Sequence, residues 1–135
     1  MISEHLIPKL QKEFSDRRLR VGVPPESCAI FPTVHSEVGD IEICDDGDEL
    51  TVYLGTFTHR HFGNYDEKLS KGQAAEAIAQ DVVAFLKEVF ADRIVMWGSH
   101  RGVGGFYRRG KGHRLGLIRR RRKEYVWSGP ISTEN

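Results

Sequence analysis

The hydrophobic residues between positions 70 and 90 repeat with the period of an α-helix. Intervals of four, four, three and four residues separate the members of one apolar stripe, which are Ala74, Ile78, Val82, Phe85 and Val89. Ser70 and Gln73 have the spacing of a capping box, in which each side chain satisfies a backbone N–H of the other. The pattern predicts a helix from about residue 70 to about residue 90, and its length of about 30 Å is enough to cross a sheet.

A second helix is predicted near the N-terminus, within residues 2–19, where Leu6, Leu10 and Phe14 are spaced by four. Pro8 would remove a hydrogen bond from the middle of that helix, so we expect its regular part to begin near Pro8. Two consecutive prolines follow a few residues later and continue the chain in an extended conformation.

Three extended segments come next, namely Cys28–Val34, Val38–Cys44 and Glu49–Phe57. Between the last two, Asp46-Gly47 predicts a two-residue hairpin turn, because both residues tolerate the positive φ of a type I′ turn. This turn would place the apolar side chains of the two strands on one face, with Ile43 opposite Leu50 and Ile41 opposite Val52. The other face would carry Asp40, Glu42, Thr51 and Tyr53, as in an antiparallel sheet that is covered on one side.

The C-terminal third also has strand-like segments. Arg93–Trp97 predicts a short central strand, and further strands are predicted at Phe106–Arg108, Leu115–Ile118 and Tyr125–Trp127. We therefore predict a single α+β domain over residues 1–128, followed by a frayed tail from 129 to 135. Its sheet is expected to be largely antiparallel, with the long helix and the N-terminal helix packed on one face.

The composition is typical of a folded protein that needs no disulfide bond or metal ion for its stability. The chain has 135 residues, of which 39% are hydrophobic, and this is enough to bury a core. It has no apolar run of about 20 residues and no N-terminal signal-peptide pattern, so we expect a soluble protein with no membrane partner. With only Cys28 and Cys44, a disulfide scaffold is not expected, and a cytoplasmic location is predicted.

Charge is sorted along the chain. Residues 1–50 contain eleven acidic and five basic side chains, whereas residues 101–135 contain ten basic and two acidic ones, although the net charge of the whole chain is only +1. The basic end can attract a polyanion or face the acidic first half of the same chain. The acidic stretch Asp40–Glu49 and the basic stretch Arg108–Lys123 are therefore candidate contact surfaces.

The basic segment 101–127 predicts one alternative function, the binding of nucleic acid. Arginines can contact phosphates, and neighbouring aromatic rings can stack on bases. The candidate residues are Arg101, Arg108, Arg109, Lys111, Arg114, Arg119, Arg120, Arg121, Arg122, Lys123, Tyr125 and Trp127. A pairing of this segment with the acidic hairpin would explain the same charges without any ligand.

His59 and His61 predict a second alternative, a metal-dependent hydrolase. If the strand that begins at Glu49 continues this far, both imidazoles project from one face, on the same side as Glu42 and Asp40. Two histidines and a carboxylate can bind Zn²⁺ or Fe²⁺. The competing interpretation is that both histidines are polar residues at the end of an edge strand.

Neither alternative completes a catalytic constellation, so the preferred hypothesis is non-catalytic. We expect an accessory or regulatory domain that binds another protein and requires no cofactor. The same surfaces could also join copies of this chain in a homo-oligomer. Cys28 and Cys44 would face each other if a turn centres on Ser36, but such residues more often serve as small core side chains.

Overall fold

Two antiparallel sheets and two helices make up the part of the chain that the computed structural model describes, which is residues 1–23, 25–64, 66–99, 103–110 and 123–131. The helices are α1 (Ser3–Glu13) and α2 (Lys71–Phe90). The first sheet has five strands in the order β1 (Arg20–Val21), β2 (Ala29–Phe31), β3 (Ile41–Asp45), β4 (Glu49–Leu54) and β5 (Thr58–Gly63). The second sheet has four strands in the order β7 (Gly104–Arg108), β6 (Ile94–Gly98), β8 (Glu124–Val126) and β9 (Gly129–Pro130). The predicted α+β class is confirmed.

The capping box predicted for α2 is present. The Gln73 N–H donates to Ser70 Oγ at 3.1 Å, and the Ser70 N–H donates to Gln73 Oε1 at 2.9 Å. The helix therefore begins directly after Ser70, as its N-terminal donors require. Its apolar stripe is buried at Ile78, Val82 and Val89.

The N-terminal helix begins earlier than predicted. It starts at Ser3 and continues through Pro8, whose missing N–H leaves one carbonyl of the preceding turn without its helical donor. Leu6 and Leu10 are fully buried on the side that packs in the core, which explains why the helix tolerates the proline.

Side chains of the two helices also meet at Glu76, which pairs with Lys9 and with His5; these partners lower the pKa of the Glu76 carboxyl.

The β3–β4 hairpin has a register that differs from the predicted one. Ile43 pairs with Val52 and Ile41 with Leu54, because the loop consists of Gly47 and Asp48. Gly47 has a φ of 95° at the first central position, which is where a type II′ turn takes glycine. The loop begins one residue later than predicted, so each residue of β3 pairs with the residue of β4 two positions beyond its predicted partner. A shift of two residues keeps every side chain on its predicted face.

A sharp turn separates β4 from β5, so the strand that begins at Glu49 ends at Leu54 and does not continue to the histidines. The turn comprises residues 55–57, and Gly55 has a φ of 56°. β5 then runs back antiparallel to β4, with His59 opposite Tyr53 and His61 opposite Thr51. Both histidines consequently lie on the outer face of β5, at the edge of the five-stranded sheet.

The predicted strand at residues 93–97 is β6, and it lies between β7 and β8 as expected for a central strand. The segment predicted as a frayed tail begins instead with β9, where Gly129 pairs with Val126 and the Ile131 N–H donates to Glu124 O at 2.9 Å. The sheet thus holds the chain to Ile131. The strand predicted at residues 115–118 lies outside the described residues.

One buried cluster connects the helices to both sheets. At its centre, Phe31 meets Phe14 and Phe90 in edge-to-face contacts, with ring centroids 5.7 and 5.0 Å apart. Phe57, in the turn between β4 and β5, stacks on Tyr125 of the second sheet, with centroids 4.8 Å apart. Neither of the two described helices is long and apolar enough to span a membrane.

Candidate functional site

The two histidines predicted as metal ligands lie together, but their expected carboxylate partners do not join them. The rings of His59 and His61 are 4.9 Å apart, centroid to centroid, and both side chains are exposed. The Glu42 carboxylate accepts a hydrogen bond from Ser27 Oγ at 2.9 Å. The carboxylate of Asp40 accepts from the Thr33 N–H at 2.8 Å and lies 3.8 Å from Arg20.

The carboxylates that do approach His61 come from the end of the β3–β4 hairpin. Glu49 Oε1 lies 3.2 Å from His61 Nδ1, and Thr51 Oγ1 lies 2.8 Å from the same nitrogen. Thr51 in turn donates to Asp46 Oδ2 at 2.6 Å. Sequence reasoning missed Asp46 and Glu49 as partners because the predicted strand ran past the turn at Gly55.

The described members of the basic segment contact the protein itself. Arg108 pairs with Glu88 of α2, Arg109 donates to the carbonyl of Asp92, and Lys123 lies 3.8 Å from Glu37. None of these partners belongs to the acidic stretch 40–49. The other basic candidates, Arg101, Lys111, Arg114, Arg119, Arg120, Arg121 and Arg122, lie outside the described residues.

The two aromatic residues among the nucleic-acid candidates, Tyr125 and Trp127, are core residues. Tyr125 and Trp127 are each 3% exposed, Tyr125 against Phe57 and Trp127 against Phe90. Their rings are therefore not available to stack on bases, because stacking needs an open ring face. A nucleic-acid function would have to rest on the basic candidates and on Phe106 and Tyr107, which are only half-buried.

Trp127 instead forms part of the wall of a cavity of about 330 Å³. The rest of the wall comes from the segment after α1 and from the segment after β2, and comprises Asp16, Arg17, Arg18, Phe31, Pro32, Thr33 and Val34. Its volume is at the lower end of the range found for small-ligand sites, about 300–1,000 Å³. The indole Nε1 of Trp127 is buried and has no hydrogen-bond partner among the described residues.

Arginine side chains dominate the charge around this cavity. Arg17 lies over the ring of Phe90, with its guanidinium carbon 4.1 Å from the ring centroid, so its position is fixed by a cation–π contact. Arg18 lines the cavity and also a neighbouring one, which Arg20 shares. The acidic residues that line the two cavities are Asp16 and Asp40, so three arginines and two carboxylates give a positive local net charge.

An exposed sheet edge borders the same region. β1 is the outermost strand of the five-stranded sheet in the described chain, and both of its residues are exposed. The strand pairs with β2 on one side, with Arg20 opposite Ile30 and Val21 opposite Ala29. An outermost strand offers backbone N–H and C=O groups to an additional strand. We call the two cavities and this edge the arginine groove, comprising residues 16–21, 31–34, Asp40 and Trp127.

The two cysteines do not form a reactive pair. The register Ala29↔Ile43 agrees with a turn centred on Ser36, but the Cys28 N–H donates to the carbonyl of Ile43, so the regular pairing ends before Cys28 meets Cys44. Cys28 is fully buried, and burial raises the pKa of its thiol to about 12, with smaller contributions from Asp45 and Cys44. A thiol with such a pKa is protonated at neutral pH, as expected of a core residue.

Comparison with protein-family models, with curated proteins and with solved structures gave no match. The geometry of the arginine groove and of the residues around His59 and His61 is therefore the basis for any assignment of function.

Proposed function

We propose that the protein is a non-catalytic accessory or regulatory domain that binds an extended, acidic segment of a partner protein in the arginine groove. The observation that carries this proposal is the cavity that Arg17 and Arg18 line together with Trp127, whose buried Nε1 has no acceptor among the described residues. A buried N–H without an acceptor costs about 1–3 kcal/mol. A carboxylate of the partner would recover that free energy only after a small movement of the cavity wall, because Nε1 is buried in the free protein.

Charge and shape support an acidic occupant. Arg17 and Arg18 supply guanidinium groups, which match a carboxylate with two parallel donors. Val34, at 62% exposed, lines the same cavity and offers an apolar contact. A site with a few placed polar groups and apolar walls is typical of ligand recognition.

The sheet edge supports an extended conformation of that segment. A peptide that adds a strand to β1 gains backbone hydrogen bonds, while its alternate side chains point toward the neighbouring cavities. The cavity shared by Arg18 and Arg20 lies on the way from β1 to Trp127, since Arg18 lines both cavities. An extended chain can therefore engage the edge and the arginines together.

Peptide binding by the full-length chain tests this proposal. The probe is a fluorescein-labelled hexapeptide of alternating Glu and Val, and the comparison peptide has Gln in place of Glu. We expect saturable binding of the Glu peptide by fluorescence anisotropy and a loss of about tenfold or more in affinity on Arg18→Glu, because charge reversal replaces attraction by repulsion.

The matched control is Lys68→Glu, which makes the same change at an exposed lysine outside the groove. Its affinity should stay within about twofold of the wild type, since distant surface charges are screened at physiological salt. Equal binding of the Glu and Gln peptides, or equal losses in the two variants, would contradict the proposal. A labelled single-stranded oligonucleotide in the same assay tests the nucleic-acid alternative, which predicts binding that weakens steeply with salt.

A second prediction concerns Trp127→Phe, which removes the N–H that has no acceptor among the described residues and keeps an aromatic ring. The smaller ring loses packing, but the buried N–H no longer lacks an acceptor, so the free energy of unfolding should change by less than about 1 kcal/mol. Peptide affinity should nevertheless fall, because the donor is lost. Urea denaturation and anisotropy measure the two effects; unchanged peptide affinity in a folded Trp127→Phe variant would contradict a role for Nε1 in binding.

A further inference from the structure

The end of the β3–β4 hairpin brings two carboxylates to one imidazole on the outer face of the first sheet. Asp46 and Glu49 flank the two-residue loop, and the Asp46 N–H donates to Glu49 O at 2.9 Å. His61 lies on β5, directly opposite Thr51. Since Glu49 and Thr51 are two residues apart on β4, their side chains project to the same face as His61.

Glycine leaves room for this arrangement. The residue opposite Glu49 on β5 is Gly63, which has no side chain, so the Glu49 carboxylate has space to lean along the sheet toward His61. One ligand atom each of Asp46, Glu49 and His61 lies within 4.8 Å of the other two. We call these three residues the hairpin triad.

A buried hydroxyl links members of the triad. Thr51 is 1% exposed, and its single hydroxyl proton is donated to Asp46. Its oxygen therefore accepts from His61 Nδ1, which also lies 3.2 Å from Glu49 Oε1. Thr51 thus orients the Asp46 carboxylate through its hydroxyl proton. Its contact with His61 involves the same Nδ1 that faces Glu49, so that hydrogen bond is given up when Nδ1 binds an ion.

We propose that the hairpin triad binds a divalent transition-metal ion, with Zn²⁺ as the best match to its donors. One imidazole nitrogen and two carboxylate oxygens are ligands that Zn²⁺ accepts, and water completes its four-coordinate shell. The ion would lie between the His61 imidazole and the two carboxylates, while the Thr51 hydroxyl keeps its hydrogen bond to Asp46. This site is independent of the arginine groove and of any catalytic function.

The distances are compatible with an ion after a small side-chain movement. Ligand atoms of a tetrahedral Zn²⁺ site lie about 3.3 Å apart, given bonds of about 2.0–2.1 Å. The present separations of up to 4.8 Å require the ligand atoms to close by about an ångström and a half at most. The His61 and Glu49 side chains are 54% and 29% exposed, so they can make this movement while the paired strands stay in place.

The site differs from the one predicted from the sequence. His59 is 4.9 Å from His61 between ring centroids, but it contributes no atom to the group of three. The Glu42 carboxylate accepts a hydrogen bond from Ser27 Oγ and does not belong to the triad. Variants of His59 and Glu42 are therefore matched controls for variants of the triad.

Isothermal titration of ZnCl₂ into the chelator-treated full-length chain tests the proposal. We expect one ion per chain and a rise in Tm with Zn²⁺, because an ion that binds only the folded state stabilises it. His61→Ala, Glu49→Gln and Asp46→Asn should each weaken binding by about tenfold or more, whereas His59→Ala and Glu42→Gln should stay within about twofold. Circular dichroism checks that each variant is folded.

Three results would overturn the proposal. The first is the absence of saturable Zn²⁺ binding by the wild type. The second is binding that survives all three triad variants, which would place the ion elsewhere. The third is binding that is lost with His59→Ala or with Cys44→Ser while Glu49→Gln retains it, since Cys44 lies opposite Thr51 on the same face and thiolates bind Zn²⁺ strongly.

Discussion

Replacement of Gly55 by alanine should lower the free energy of unfolding by about 3–5 kcal/mol. Gly55 has a φ of 56°, a conformation that costs an L-residue about 1–2 kcal/mol. In addition, a Cβ at this position would lie 1.9 Å from the carbonyl oxygen of Val38, which is backbone and cannot rotate away. Urea denaturation measures the loss, and Tm should fall by about 10 °C or more.

Gly47→Ala is the matched control for this prediction. Gly47 also has a positive φ, 95°, but nothing lies within 4 Å of the position that its Cβ would occupy. Its replacement should therefore cost only the conformational term, about 1–2 kcal/mol. The difference between the two variants measures the clash with Val38. Equal losses would mean that the turn after β4 does not approach Val38 as closely as described.

The same turn explains why the histidine site was only partly predictable from the sequence. Alternation placed His59 and His61 on one face, and that is correct, because the side-chain period of a strand is local. The partners of His61 depend on where the chain reverses. The reversal at Gly55 brings His61 beside Glu49 and Thr51, whereas the assumption of a continuous strand had pointed to Glu42 and Asp40.

The pairing of the β3–β4 hairpin was also predicted incorrectly, again because the position of the turn was misjudged. Gly47 is the signal for the turn in either register, because it belongs to both Asp46-Gly47 and Gly47-Asp48. A type I′ turn centres on the first pair and a type II′ turn on the second. The alternation of Ile41, Ile43 and Val52 fixes which face is buried but is satisfied equally by both registers. The face was therefore predictable, and the pairing was not.

The long helix could be predicted because its signals are local and agree with one another. Ser70 and Gln73 fix the start, and the apolar stripe fixes the buried side. The arginine groove has no such signal. Its wall joins residues 16–18, residues 31–34 and Trp127, which only the tertiary fold brings together. Arg17, Arg18 and Arg20 are close together in the sequence, but they were overlooked because the first fifty residues are acidic as a whole.

Replacement of Phe31 by alanine should cost about 3–5 kcal/mol, the range for deletion of a large core aromatic ring. Phe31 is 1% exposed and contacts Phe14 and Phe90 edge to face, so alanine would leave a cavity and remove both ring contacts. Val34→Ala is the control, since Val34 lines the same groove at 62% exposed and should change stability by less than about 0.5 kcal/mol. Urea denaturation compares the two variants.

Phe31 also connects stability to the proposed binding site, because its ring belongs both to the core and to the wall of the groove. Phe31→Leu keeps most of the buried volume and should cost less than about 1.5 kcal/mol, so it stays folded when the alanine variant does not. If Arg17 and Trp127 hold their positions through Phe90, which packs against Phe31, then Phe31→Leu should weaken binding of the Glu peptide while it leaves Zn²⁺ binding unchanged. Loss of both would mean that the substitution disturbs the whole sheet, and loss of neither would mean that the groove does not depend on the aromatic cluster beneath it.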